Sequence, residues 1–199
     1  DDTYIRNGKQ VAYQGFSKED GVHVEVGKIT GQELIGTPCS GPLSSAKRMY
    51  VLPLPKVSLA KGTGVVTSVP SDAPDDYMGI ADLKKKEFLR EKYGVKDEWV
   101  MDIEMIEILE TPELGRNAAE KVCLDLKVAS ANDIEKLNQA KEITYKAGFY
   151  QGVMIVGPYA GKTVQEVKKI ITAELIESGD AIPYSEPEKE VTSRSGDVC

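Results

Sequence analysis

Hydrophobic positions change their spacing about a third of the way along the chain. Over the first 70 or so residues, apolar and β-branched side chains alternate in short runs broken by glycine and proline. Residues 22–26, 49–54 and 64–69 read as strands, separated by turn signals such as Ile35-Gly-Thr-Pro38 and Lys61-Gly62. Short strands at this spacing suggest an antiparallel barrel or sandwich. After Asp75-Asp76 the period lengthens. Residues 80–93 read as an amphipathic helix, with Ile80, Leu83 and Leu89 inward, Lys84, Lys85, Lys86 and Arg90 outward, and Gly94 as the stop. Segment 101–109 returns to strand character, and 117–126 is a shorter helix. A helix over 133–147 is opened by Ser130-x-x-Asp133 and closed by Gly148. A strand at 153–156 follows. Thr163-x-x-Glu166 then starts a helix that runs to Ser178 and ends at Gly179, and 181–184 is a last short strand.

Composition narrows the chemistry. The 199 residues carry 25 Lys+Arg against 32 Asp+Glu, a net charge of −7, and 41% of them are apolar. At roughly 150 residues per domain this is a single domain, 1–199, that needs no disulfide or metal staple. No apolar run is long enough to span a membrane, and the N-terminus has no signal-peptide pattern. Three cysteines, Cys39, Cys123 and Cys199, with no C-x-x-C spacing, point to reduced thiols and an intracellular setting. The one histidine, His23, lies in the alternating run Val22-His-Val-Glu-Val26 and reads as an outward-facing strand residue. A His-ligated metal cluster is excluded, and a histidine-dependent nucleophile would have to use His23 itself. The expectation is chemistry without imidazole and without a bound metal. Both termini look cut, so a domain excised from a longer protein is expected.

Three motifs compete for the functional reading. Gly157-Pro-Tyr-Ala-Gly-Lys-Thr163 stands where a phosphate loop belongs, but it is one residue short and Pro158 removes an N–H donor. It is better read as a tight strand-to-helix turn with Thr163 as the cap. Gly62-Thr-Gly64 lacks the third glycine of a dinucleotide fingerprint and leads into a strand, so no helix N-terminus faces a pyrophosphate. The third motif is the run from Lys61 to Asp76. Two glycines permit close approach by another backbone or a ligand. A strand follows, and then a turn with three carboxylates, Asp72, Asp75 and Asp76. Such a cluster can hold an ammonium group or a cation, or it can be ordinary solvated turn chemistry ahead of a helix near Ile80.

That third run, Gly62-Thr-Gly-Val-Val-Thr-Ser-Val-Pro-Ser-Asp-Ala-Pro-Asp-Asp76, resembles the core motif of the connective-peptide editing domain of eukaryotic cytosolic leucyl-tRNA synthetases. Ordered matches flank it through most of the chain. They are Tyr13-Gln-Gly-Phe-Ser17, Gly31-Gln-Glu-Leu-Ile-Gly36, Val51-Leu-Pro53, Asp82-Leu-Lys-Lys-Lys86, Ala140-Lys141, Gly148-Phe-Tyr-Gln-Gly152, Val167-Lys-Lys169, Glu186-Pro-Glu188 and Ser193-Arg-Ser-Gly-Asp197. The resemblance implies a mixed β-barrel with peripheral α-helices, the editing fold of the Val/Ile/Leu class I synthetases. Residues of about 130–180 would be a helical elaboration of the eukaryotic form, away from the pocket. The implied activity is hydrolysis of the aminoacyl ester on leucine tRNA mischarged with norvaline, isoleucine or a similar residue.

By the same resemblance, Asp76 would grip the α-ammonium group of the wrong amino acid, and Thr67 would form the wall that excludes leucine. Val66, Ser68 and Val69 would line the floor, and the Gly62-Thr63-Gly64 backbone would approach the terminal adenosine. The implied partners are the 3′ end of the mischarged leucine tRNA and the rest of the parent synthetase. An adenosine or benzoxaborole-type ligand would fit the pocket. No cofactor is implied for editing, ATP being used at the parent's synthetic site, and the location implied is cytoplasmic, with no membrane contact.

Two features pull the other way. The family's threonine-rich segment (T-x-R-P-E-T type) has no counterpart here, which leaves a non-catalytic fragment or a tRNA- or partner-binding module as the alternative. A net negative charge also suits a polyanion poorly. The locally basic stretch 81–96 reads as a solvated helix face.

Overall fold

The computed structural model describes residues 25–46, 48–57, 63–184 and 191–197. They divide into two compact units. One comprises 29–55 and 67–174, and the other draws on 1–28, 56–66 and 175–199. Nearly all the regular structure lies in the former.

In that unit a short helix α1, Gly31–Leu34, is opened by a complete capping box: Glu33 N–H reaches the Thr30 hydroxyl, and the Glu33 carboxylate takes the Thr30 N–H. The turn after it uses Gly36 at φ +82°, where a side chain would strike the Trp99 ring. Strands β1 (Pro38–Cys39) and β2 (Met49–Tyr50) pair antiparallel, and the pairing is extended by the Gly36 N–H donating to Val51 O and the Val51 N–H donating to Thr37 O. The strand expected over 49–54 is therefore mostly irregular chain.

Helix α2 spans Pro74–Lys85, starting well before the expected Ile80. Proline is suited to the first helical turn, where its missing N–H has no partner to lose, and Asp75 and Asp76 complement the positive end of the helix. Of the acidic residues read as a turn, Asp75 and Asp76 are thus in the first turn of a helix, and Asp72 stays in the turn before it. The helix then breaks at Lys86, whose backbone is extended, and restarts as α3, Glu87–Tyr93, closed by Gly94 at φ +67°. The break puts Arg90, expected on the outside, into the interior. Its guanidinium donates to Leu83 O at 2.7 Å and Lys84 O at 3.0 Å, carbonyls of the last turn of α2 that have no helical partner, and it pairs with Asp97 at 2.7 Å. The basic stretch is also partly engaged: Lys86 pairs with Asp82, and Lys84 donates to Ile103 O.

Helix α4, Ala118–Asp125, agrees with expectation. Helix α5, Ile134–Gln151, begins one residue late and continues through Gly148, which stays helical, to end at Gly152. Strands β3 (Leu109–Glu110) and β4 (Val153–Met154) pair antiparallel, while 101–108 does not form the expected strand. Loop 157–163 is the tight turn anticipated: Gly161 N–H returns to Met154 O, and Thr163 with Glu166 forms a capping box for α6, Val164–Glu177.

Two apolar clusters hold the larger unit together. Met78, Val122, Cys123, Leu137 and Ala140 join α2, α4 and α5. Leu83, Val95 and Val100 gather Ile35, Leu52, Leu89 and Trp99 around them, and Trp99 also stacks on Tyr50. Among the described residues there are two two-stranded sheets and no closed barrel. Segments 64–69 and 181–184 are not laddered, and of the expected strand 22–26 only Glu25 and Val26 are described, both exposed. His23 and Cys199 lie outside the described residues; Cys39 and Cys123 are free thiols.

Candidate functional site

The site grows from the backbone of one residue, Val69. Thr67 and Ser68 are exposed and lie outside any strand, and the chain turns after Val69. The Val69 carbonyl accepts from the N–H groups of Asp72 (3.1 Å) and Ala73 (2.8 Å), which folds residues 70–73 into a turn. The Val69 N–H donates to Asp76 Oδ2 at 2.7 Å. Both backbone polar groups of Val69 are therefore used, and Asp76, in the first turn of α2, is tied to the chain two residues beyond Thr67. The turn is pinned from below. Ser71 is fully buried, its carbonyl accepts the Ala119 N–H at 3.0 Å at the start of α4, and its hydroxyl donates to Asp72 Oδ2.

The charges here are crowded and half-buried. Burial raises the Asp76 carboxyl above the usual aspartate range, against the Val69 N–H, which lowers it, and the Asp75 charge adds to the rise. Asp72 is raised by burial too, with the Ser71 hydroxyl opposing. Asp75 pairs instead with Lys141 of α5 at 2.7 Å. Buried oxygens Asp72 Oδ1 and Asp75 Oδ1 have no hydrogen-bond partner. Tyr145, one turn beyond Lys141, is raised by burial and by the Asp76 and Asp75 charges. The Cys123 thiol of α4 is pushed up to about 11 by burial and by Asp75. This arrangement can hold a cation: Asp76 offers a carboxylate whose protein donor occupies one oxygen, in surroundings too poorly solvated to screen it fully.

The predicted residues divide. Thr67, Ser68, Val69 and Asp76 share a unit and a continuous stretch of chain. Gly62 lies outside the described residues. Thr63, Gly64 and Val66 belong to the other unit. There the Thr63 hydroxyl donates to Val65 O at 2.7 Å and accepts from Val65 N–H, Gly64 takes φ +77°, and Val66 is 59% exposed. Helix α5, in the stretch expected to be an elaboration, packs on α2 and brings Lys141 and Tyr145 to the acidic residues. Sequence reasoning missed both. Their signal is the i, i+4 spacing beside the buried Leu137–Ala140–Thr144 face of α5, which nothing local ties to Asp75. Among the described residues no group of His, Cys, Asp and Glu has metal-site geometry, and no helix is long and apolar enough to cross a membrane.

No family model matches the chain. It is 54% identical over 194 residues to a cytoplasmic leucine–tRNA ligase of Arabidopsis thaliana, covering 98% of this chain and 18% of the relative. The corresponding figures for the cytoplasmic leucine–tRNA ligase of Pongo abelii are 49% over 191 residues, 96% and 16%. The chain thus spans less than a fifth of these relatives. Among solved structures, the editing domain of the P. knowlesi cytosolic leucyl-tRNA synthetase superposes with a TM-score of 0.75 at 31% identity, covering 79% of this chain and 52% of that one.

Proposed function

The chain belongs to the editing domains of the cytosolic leucyl-tRNA synthetases, and from that premise we propose that it hydrolyses the ester linking a wrong amino acid, such as norvaline or isoleucine, to leucine tRNA. One observation carries the site assignment. Asp76 is a half-buried carboxylate locked by the Val69 N–H at 2.7 Å, and burial penalises its charge. An α-ammonium group supplies the compensating cation, so the contact relieves a penalty that the empty site carries.

Asp76 is an anchor. It fixes the aminoacyl end so that a water molecule meets the ester carbonyl carbon. The carbonyl–O bond to the ribose then breaks, the free amino acid leaves, and the terminal ribose regains its hydroxyl. Orientation contributes most of the acceleration, with help from a neighbouring ribose hydroxyl, and no covalent enzyme intermediate is needed. Thr67 restricts the side chain admitted, with Ser68 and Val69 supporting the floor. Such a second sieve is useful because one methylene discriminates by only ~1–3 kcal/mol at a synthetic site. The likeness to solved editing domains supports completing the architecture as a β-barrel with helices around it. Editing takes no cofactor in this reading, ATP serving the synthetic site of the full enzyme, and the setting is cytoplasmic. An adenosine-like or benzoxaborole ligand would occupy the same pocket.

The test is deacylation of norvalyl- and isoleucyl-tRNA by the full-length synthetase carrying this segment and by the chain alone. Clearance of both, with leucyl-tRNA spared, supports the reading. Survival of norvalyl-tRNA with the full-length enzyme overturns it. Clearance by the full-length enzyme alone would make the chain by itself a non-catalytic module.

A further inference from the structure

Lys141 lies on α5, the helix expected to stand clear of the site, yet its ammonium reaches Asp75 Oδ2 at 2.7 Å with both side chains largely shielded from solvent. Asp75 and Asp76 are consecutive residues in the first turn of α2. The second oxygen of Asp75 is buried and has no hydrogen-bond partner, so the Lys141 ion pair is its one described polar contact. The charges and titratable groups that face Asp75 are Asp76 beside it, Cys123 on α4 and Tyr145 on α5, none of which brings a positive charge.

We propose that Lys141 is a positioning residue for editing: by tying Asp75 to α5, it leaves Asp76 as the carboxylate of this turn that takes the substrate's ammonium group. Without the lysine, two adjoining half-buried carboxylates go uncompensated. They compete for the same ammonium and draw the aminoacyl end away from its productive position, and each makes the other harder to ionise. The proposal rests on the editing reading above and deepens it by naming the residue that selects one anchor from two.

The experiment uses the full-length synthetase and the pH profile of kcat/KM for norvalyl-tRNA hydrolysis, whose acid limb reports ionisation of the free enzyme. Lys141→Met should move the acid limb up by about one unit, which lowers the rate about tenfold at pH values below both limbs and leaves the plateau at high pH in place. Lys141→Arg should restore both. In the Lys141→Met background, Asp75→Asn should return the limb to its wild-type position, because it removes the charge that the lysine compensates. A merely structural strut gives a different pattern: a lower rate with the limb unmoved, unaffected by Asp75→Asn. That pattern overturns the proposal. Should Lys141→Met fail to fold, the double variant and the arginine variant carry the same test, and a shifted limb in the arginine variant overturns it. Asp76→Asn separates the two levels: full activity in that variant refutes the anchor reading itself, whatever Lys141 does.

Discussion

Replacing Asp76 with asparagine removes one charge and little else. The amide oxygen can still accept the Val69 N–H that Asp76 Oδ2 accepts at 2.7 Å, so the turn at 69–73 keeps its closure. Alanine would open that closure and mix a structural loss into the result. Two opposite effects are expected from the asparagine variant. Losing the charged partner of a desolvated ammonium costs about 3 kcal/mol, which lowers kcat/KM for norvalyl-tRNA by about two orders of magnitude. Stability should move the other way or not at all. Burial holds the folded-state pKa of Asp76 above its unfolded value, so the folded protein binds the extra proton between those two values. Stability tied to this group is therefore greatest below the unfolded pKa, falls as pH rises through the folded pKa, and stays at its reduced level at pH 7. The asparagine variant carries no such penalty. Its melting temperature at pH 7 should equal or exceed that of the parent, and its stability should vary less between pH 4 and 7. Urea melts across that range, run beside single-turnover deacylation, measure both. Retained editing, or a variant markedly less stable at pH 7 than at pH 4 relative to the parent, would refute the account of Asp76.

Thr67 is exposed and makes no described hydrogen bond that the fold needs, so Thr67→Ala should change stability by less than about 0.5 kcal/mol. It should raise hydrolysis of correctly charged leucyl-tRNA by about tenfold or more relative to norvalyl-tRNA, and an unchanged ratio removes it from the pocket wall. Arg90→Met keeps much of the buried stem but strands the Leu83 and Lys84 carbonyls; with the Asp97 arm 71% exposed and discounted, a loss of about 2–4 kcal/mol is expected in urea unfolding. A loss below about 1 kcal/mol would mean that water replaces the guanidinium at the α2–α3 junction.

What could be read ahead of the structure follows the range of the interaction responsible. The Thr163–Glu166 box and the Gly94 stop are written within four residues, and both stand where expected. The helix expected from Asn117 begins one residue later, at Ala118, with no side-chain cap from Asn117. The strands fared worse, because alternation in 49–54 or 101–109 becomes a ladder only when a partner lies alongside, and here each ladder is two residues long. Arg90 was assigned to the wrong face for a geometric reason. Treating 80–93 as one helix keeps a single phase, whereas the extended Lys86 resets it between α2 and α3. Pro74 reads as a turn residue but is the first residue of α2, so Asp75 and Asp76 belong to a half-buried helix terminus and not to a solvated loop.

That last change alters the chemistry as well as the label. Three carboxylates in a solvated turn would be equivalent and would hold a cation loosely. With Asp72 in the turn before α2 and Asp75 and Asp76 in its first turn, beside α4 and α5, they are given different partners: the Ser71 hydroxyl for Asp72, the Lys141 ammonium for Asp75, the Val69 N–H for Asp76. Of these donors only Lys141 neutralises a whole charge. Asp72 and Asp76 receive neutral hydrogen bonds and keep their burial penalty. Asp72 is directed back to the turn through Ser71, whose carbonyl is already bound to α4. Asp76 is thus left facing the segment that carries Thr67, as a charge with an incomplete set of partners, which is the condition under which an incoming ammonium group gains most from binding.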